Sequence, residues 1–462
     1  MDRVGILIVS KCLSSPAIVD AFSRSQKHRC DFYVVEKQAN PFNLARAKVH
    51  AIVPDLNLRD VARFAKRHGS SIDFGFADTE EFVVQGGRDV LEEEAGVKMV
   101  SVTKEYAVEG SKAGQRLLFD RISPGFNPRF KVFDPARYGD VERAVSDFRR
   151  WAGEVRSVVI KPDAPARGAG VGVGGSDFRT EGEMTSFFRG VYHKGKVLVE
   201  EKIEGEESSF QAFSDGKHFV PAPMTRDYKR ALDDDEGRLT GGMGSFRDDR
   251  SFLPFVRSSE WESVTRAEDS AFRKWKGKGS KPGLRGIVLY DALMHTGSGF
   301  KVLERNSRGG NTEFVNLLTT LGDDFVDVCF RILDGSLKGM RFRREASVVT
   351  CAVPLSYGKG DGKDQSGQEI DITKANRLVK EHPGECLIYP MDLRLDGGRM
   401  IAGTSRSVAA VGLGEEVEQA RNRSLEVVKS IAGPVRWRED IASRKDLGKR
   451  AAHLDSLRRE VG

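Results

Sequence analysis

The residues best suited to chemistry lie between 158 and 210, where VVIKPDAPARGAGVGVGG is followed, some twenty residues on, by VLVEEKIEGEESSF. An apolar run ends in Lys161, and glycines follow at Gly168, Gly170, Gly172, Gly174 and Gly175. Glycines let backbone N–H groups close around a phosphate chain. A lysine at a strand end reaches the same phosphates as a point charge. The second apolar run meets an acidic cluster, Glu200, Glu201, Glu204, Glu206 and Glu207. An extended hinge there can pair its backbone with an adenine edge, and a carboxylate such as Glu207 can accept bonds from ribose hydroxyls. The glycine loop alone is weak evidence, since it lacks the P-loop ending and a flexible hairpin fits it as well. The order of lysine, glycine loop, strand and acidic hinge is what points to a nucleotide.

About a hundred residues on, GIVLYDALMHTGSGFKVLERNSRGGN reads as two strands joined by a His-Thr-Gly-Ser-Gly turn. Glu304 and Asn306 alternate on the second strand, so both point to one face. Asp291, in the first strand, is expected to face them. Oxygen ligands of this kind suit Mg²⁺ (or Mn²⁺), held by a few protein groups and by ATP phosphates. The competing reading is a solvated hairpin face.

Elements must position these groups. The chain has 462 residues, enough for several domains with their own cores. Its net charge of +6 is mild and dispersed, and no Lys/Arg-dense run carries interleaved aromatics, which argues against nucleic acid. The five cysteines are scattered without a Cys-x-x-Cys pair, which argues against a disulfide framework or zinc site and for a reducing, cytoplasmic setting. No apolar run approaches membrane-spanning length, so no membrane partner is expected.

Residues 1–105 alternate strands (GILIVS, CDFYVVE, AIVP, IDFGFA) with amphipathic helices, which predicts a parallel sheet. The first turn, SKCLSSPA, has no glycine, so a dinucleotide cradle is not expected, and Glu36 reads as a solvated loop residue. Ser111 is a plausible cap for a helix that would place Lys112 near its N-terminus. On local grounds Lys112 reads as a surface lysine. RDYKR precedes an acidic run, Asp234, Asp235 and Glu236, read as a solvated loop, and then Thr240 to Gly244. Residues 341–440 read as an α+β unit and 441–462 as a charged surface or docking helix.

Taken in order, Lys161, the glycine loop, EEKIEGEE, DYKR, TGGMG and LERN-x-R resemble the ATP-grasp ligases. TGGMG, the Glu-Gly-Ser-Lys turn at 109–112, GTSRSVAAVGLG and VRWREDI are similar to the glycinamide ribonucleotide synthetase (phosphoribosylamine–glycine ligase) family. The resemblance covers about residues 75–442 and implies an ATP-grasp domain at 106–340 between a parallel-sheet α/β domain and a small α+β cap. It assigns Lys112, Lys161, Gly168 and Gly170 to ATP phosphates. Glu200, Glu201 and the backbone of Lys202 and Ile203 go to adenine, and Glu207 to ribose. Glu304 and Asn306, with Asp291 as a candidate third, go to Mg²⁺, and Arg308 to the acyl phosphate or carboxylate. It implies small-molecule substrates, glycine or another carboxylate plus an amine, in a monomer or homodimer.

The family's glycine-rich first loop reads here Ser10-Lys11-Cys12-Leu13-Ser14-Ser15-Pro16, and its Gly-Pro-Glu segment reads Asp78-Thr79-Glu80. Its Arg-Phe-Gly-Asp-Pro-Glu signature reads Arg308-Gly309-Gly310-Asn311-Thr312-Glu313. ATP positions persist while substrate positions differ. Three activities are therefore weighed: this family's ligase of purine synthesis, a ligase joining another acid and amine, and a nucleotide-binding protein without turnover.

Overall fold

The computed structural model describes residues 1–11, 13–155, 157–163, 170–277, 282–358 and 366–461. Cys12 and Gly168 lie outside the described residues.

The first hundred residues form a five-stranded sheet of β1 (Asp2–Ser10), β2 (His28–Glu36), β3 (Ala47–Ile52), β4 (Phe74–Ala77) and β5 (Met99–Val100), in the order β3-β2-β1-β4-β5. Every pairing is parallel, as the alternation of strands and helices predicts. The helix Leu58–His68 shows the local logic. Asn57 caps it by accepting the Asp60 N–H, Val61, Ala62 and Ala65 form its buried stripe, and Lys66, Arg67 and His68 oppose the dipole at its end. Glu36 is a correction: it is fully buried and accepts bonds from the Asn40 N–H, the Asn43 amide and His50 at 2.7–2.9 Å.

Two four-stranded sheets follow. One is β6 (Phe130–Phe133), β7 (Val158–Pro162), β8 (Gly172–Val173) and β9 (Val197–Glu201), ordered β6-β9-β7-β8. The other contains β10 (Glu206–Ser214) and β11 (Phe219–Pro221), continued by the hairpin of β16 (Gly286–Thr296) and β17 (Gly299–Asn306), ordered β11-β10-β16-β17. Between β11 and β16 in sequence come β12 (Arg226–Asp227), β13 (Arg230–Leu232), β14 (Glu236–Leu239) and β15 (Gly244–Arg247).

The chain ends with β18 (Ala346–Pro354), β19 (Cys386–Pro390), the hairpin β20 (Leu393–Asp396) and β21 (Arg399–Ala402), β22 (Val408–Gly414), β23 (Val435–Arg436) and the helix Arg444–Val461. The last sheet runs β12-β15-β18-β22-β19, with β23 also paired to β18. It crosses the boundary expected at residue 340, because β12 and β15, on either side of the β13–β14 hairpin, belong to it. The core is correspondingly shared. Phe22, from the helix Ser15–Ser23, stacks on Phe325 of the helix Phe325–Asp334 at 4.6 Å, which joins the first sheet to the end of the middle region.

Candidate active site

A cavity of about 550 Å³ opens between the two four-stranded sheets and extends to the C-terminal edge of the first sheet. One end is an apolar slot formed by Val159, Val173, Ile203, Met294 and Leu303. Three lysines border the middle. Lys161, at the end of β7, lies 2.6 Å from Glu200 and 3.2 Å from the Leu303 carbonyl. Lys112 opens the helix Lys112–Ile122, whose cap Ser111 accepts the Gly114 N–H, and its ammonium lies 3.7 Å from Glu304. Lys229 lies 2.8 Å from Glu207. Lys112 is 4% exposed, so the surface-lysine reading is overturned: the cap aims the first residue of the helix inward.

Glu304 and Asn306 both border this cavity. Burial opposes ionisation of Glu304, but Lys112, Lys161, Lys229 and Arg308 outweigh it and hold its carboxyl below the usual range. Asp291 does not join them. It pairs in register with Arg305, and Arg305 points to the other face of the sheet from Glu304. There Asp291 is fully buried, with its carboxylate 2.6 Å from the Arg305 guanidinium, which also meets Glu268. The expected third metal ligand is therefore a core counter-ion. Among the described residues no cluster of three or more His, Cys, Asp or Glu side chains could hold a metal. A two-residue donor set completed by phosphate oxygens and water fits Mg²⁺, which is seldom held by an all-protein cage.

Glu200 has both oxygens engaged, one by Lys161 and one by buried Arg116. Glu201 accepts the Arg129 N–H at 2.7 Å, on the opposite side of its strand. Both residues line the cavity with their carboxylates held by protein partners, and the hinge from Lys202 to Gly205 borders the same cavity. Glu207 lies in the cavity, paired with Lys229. Gly170 has a left-handed backbone, φ 78°.

The far end of the cavity is lined by Lys11, Glu80, Asp227, Arg308, Glu313 and Arg406. Arg308 lies 3.2 Å from Glu80, and Glu109 and Glu80 together raise its already high pKa despite burial. Glu109 itself is pushed up to about 7 by burial. Asp227 is pushed up to about 8, by burial and then by neighbouring Glu313. The turn from Thr240 to Gly244 packs on this residue. At Gly242, φ 105°, an added Cβ would stand 2.5 Å from the Asp227 carboxylate. At the strand ends, Ser10 and Ser14 both donate to buried Asp78, at 3.2 and 2.9 Å. A carboxylate thus engages the hydroxyls that precede the helix Ser15–Ser23, where an anionic ligand would otherwise be expected.

Sequence reasoning missed Asp227, Lys229, Glu313 and Arg406 as cavity residues. The density of charge in RDYKR was a usable signal for the first two. Nothing in GTSRS by itself marked Arg406, which reaches the cavity from the last sheet and donates to the Gly241 carbonyl.

Comparison with known proteins places this geometry in a family. The model described as the phosphoribosylglycinamide synthetase ATP-grasp (A) domain matches residues 129–314. A phosphoribosylamine–glycine ligase of Methanocella arvoryzae is 33% identical over 457 residues, covering 98% of this chain and 99% of that protein. One from Pyrococcus furiosus is 32% identical, covering 94% and 93%. Among solved structures, a phosphoribosylamine–glycine ligase from Thermotoga maritima superposes with a TM-score of 0.72 at 23% identity, covering 95% of this chain and 100% of that one. The chain belongs to the phosphoribosylamine–glycine ligase family of ATP-grasp carbon–nitrogen ligases.

Proposed function

We propose that this protein joins glycine to phosphoribosylamine at the cost of ATP, in cytoplasmic purine synthesis. The observation that supports this most is the placement of Lys112, Lys161, Glu304 and Asn306 in one cavity whose far end carries Arg308 and Asp227. The glycine carboxylate attacks the γ-phosphorus of ATP, and ADP leaves. The amine nitrogen then attacks the acyl phosphate carbon, phosphate leaves, and one proton is lost from nitrogen. Lys112 and Lys161 neutralise and position the phosphates, which is most of what such a transfer needs. Arg308 offers a planar fork to a carboxylate or acyl phosphate. Asp227, whose carboxyl burial and neighbouring Glu313 push up to about 8, holds its proton near neutral pH and is suited to donate a hydrogen bond at the substrate end, while the amine proton leaves with phosphate or solvent. Glu304 and Asn306 would hold Mg²⁺, which when bound supplies charge neutralisation across phosphate oxygens.

A second reading, the same chemistry with another amine, has one observation in its favour: Asp78 takes up the Ser10 and Ser14 hydroxyls at the edge of the first sheet. ADP release from Mg-ATP separates the readings. Release that requires both glycine and phosphoribosylamine supports the first. Release only with another acid–amine pair supports the second. No release with any pair sinks both and leaves a binding protein.

A further inference from the structure

The terminal helix Arg444–Val461 reads from sequence as a surface or docking feature; it packs behind β10, on the Glu206 side opposite cavity-facing Glu207, and reaches the rim of the cavity at His453. Asp446 accepts the Tyr228 hydroxyl at 2.6 Å, and Tyr228 lies between the cavity residues Asp227 and Lys229. One turn on, Arg450 reaches Glu206 at 2.9 Å and Asp235 at 2.6 Å. Asp235 lies within the acidic run expected to be solvated. Arg438 also grips it, at 3.0 Å, and against the cost of burial Arg450, Arg226 and Arg438 hold its carboxyl far below the usual range.

His453 borders the cavity beside the hinge. Its Nδ1 lies 2.7 Å from the Glu206 carboxylate. A carboxylate only accepts, so this contact places a proton on Nδ1 and leaves Nε2 for a hydroxyl, which can both donate and accept. Nε2 is 3.8 Å from Glu204, beyond hydrogen-bond reach.

We infer that the terminal helix contributes to the rim of the nucleotide site through His453, whose Nε2 shares a hydrogen bond with a ribose hydroxyl of bound ATP. The inference rests on the ATP-binding reading above and adds a contact from outside the ATP-grasp strands. Arg450 and Asp446 are positioning residues, fixing the helix to Glu206 and Tyr228 so that the imidazole meets the ribose.

The test is calorimetric titration of the full chain with Mg-ATP and with Mg-2′,3′-dideoxy-ATP, for the natural protein and for His453→Ala. The side chain is partly exposed, and an unchanged unfolding midpoint without nucleotide would confirm an intact fold. The expected result is a loss of about tenfold in ATP affinity, the scale of one neutral hydrogen bond, with dideoxy-ATP binding unchanged by the substitution. Unchanged ATP affinity, or equal losses for both nucleotides, would overturn the contact. If the natural protein binds neither nucleotide, the proposed function fails as well, which distinguishes that outcome from failure of the His453 contact alone.

Discussion

Glu304 and Arg305 are consecutive in β17 and serve opposite faces of the sheet. Glu304 opens onto the cavity, while Arg305 is buried between Asp291 and Glu268. This divides two carboxylates that look alike in sequence. Glu304→Ala is expected to lower Mg²⁺-dependent ATP turnover by about a hundredfold or more with little change in thermal stability. Asp291→Ala should do the reverse, destabilising the fold by about 3–5 kcal/mol because a charged buried network is broken. Urea unfolding and a Mg²⁺ titration of ADP release on both variants check the contrast. A Glu304→Ala protein with ordinary turnover would remove the metal assignment.

The pair Lys161–Glu200 carries a similar distinction. Lys161→Met should weaken ATP binding by about tenfold or more, while Arg116 continues to compensate the Glu200 charge. Glu200→Gln leaves two buried cations sharing a neutral partner, so it should lower stability by about 3 kcal/mol or more. It should also weaken ATP binding, since Lys161 loses the group that holds it. Nucleotide calorimetry beside chemical unfolding separates the two, and equal stability losses would contradict this division of roles.

These residues also show what a sequence can reveal. The parallel sheet was readable because strands and helices alternate with clear periodicities, and the β16–β17 hairpin because its turn is bracketed by apolar runs. Strand alternation placed Glu304 and Asn306 together. The same rule, applied across the hairpin, needed the pairing register to place Asp291, and that register is set by tertiary packing. The resemblance gives Glu200 to adenine, and only the fold shows that Arg116, from the helix Lys112–Ile122, also engages its carboxylate. Arg406 and His453 reach the cavity from segments far along the chain, and local pattern carries no signal for such long-range convergence. Asp235 read as solvated because three acidic residues in a row normally are; two of the arginines that pair with it, Arg438 and Arg450, come from the last thirty residues.

Gly242 tests the contact between the TGGMG turn and Asp227. Its φ of 105° is costly for an L residue, and an alanine Cβ would stand 2.5 Å from the Asp227 carboxylate. Gly242→Ala should destabilise the protein by about 1–3 kcal/mol and reduce turnover more than nucleotide affinity, since Asp227 lies at the substrate end of the cavity. A variant with unchanged turnover would separate Asp227 from the chemistry.

His295 sets a pH dependence of folding. Its ring is fully buried and lies 2.8 Å from the Ser208 hydroxyl. Burial pushes its pKa down from 6.5 to about 4, with Glu260 opposing and Arg458 adding to the fall. Between these two values the unfolded chain binds a proton that the native ring refuses, so stability decreases as pH falls from about 6.5 towards 4. The displacement corresponds to about 3 kcal/mol at the acid end. His295→Gln keeps a polar partner for Ser208 and removes the titration. Urea unfolding from about pH 7 down to about pH 5 should therefore show a shallower decline for the variant than for the natural protein. Other groups titrate in both proteins alike, so the difference between the curves reports this one ring, and parallel curves would mean that the native ring accepts its proton as readily as the unfolded chain.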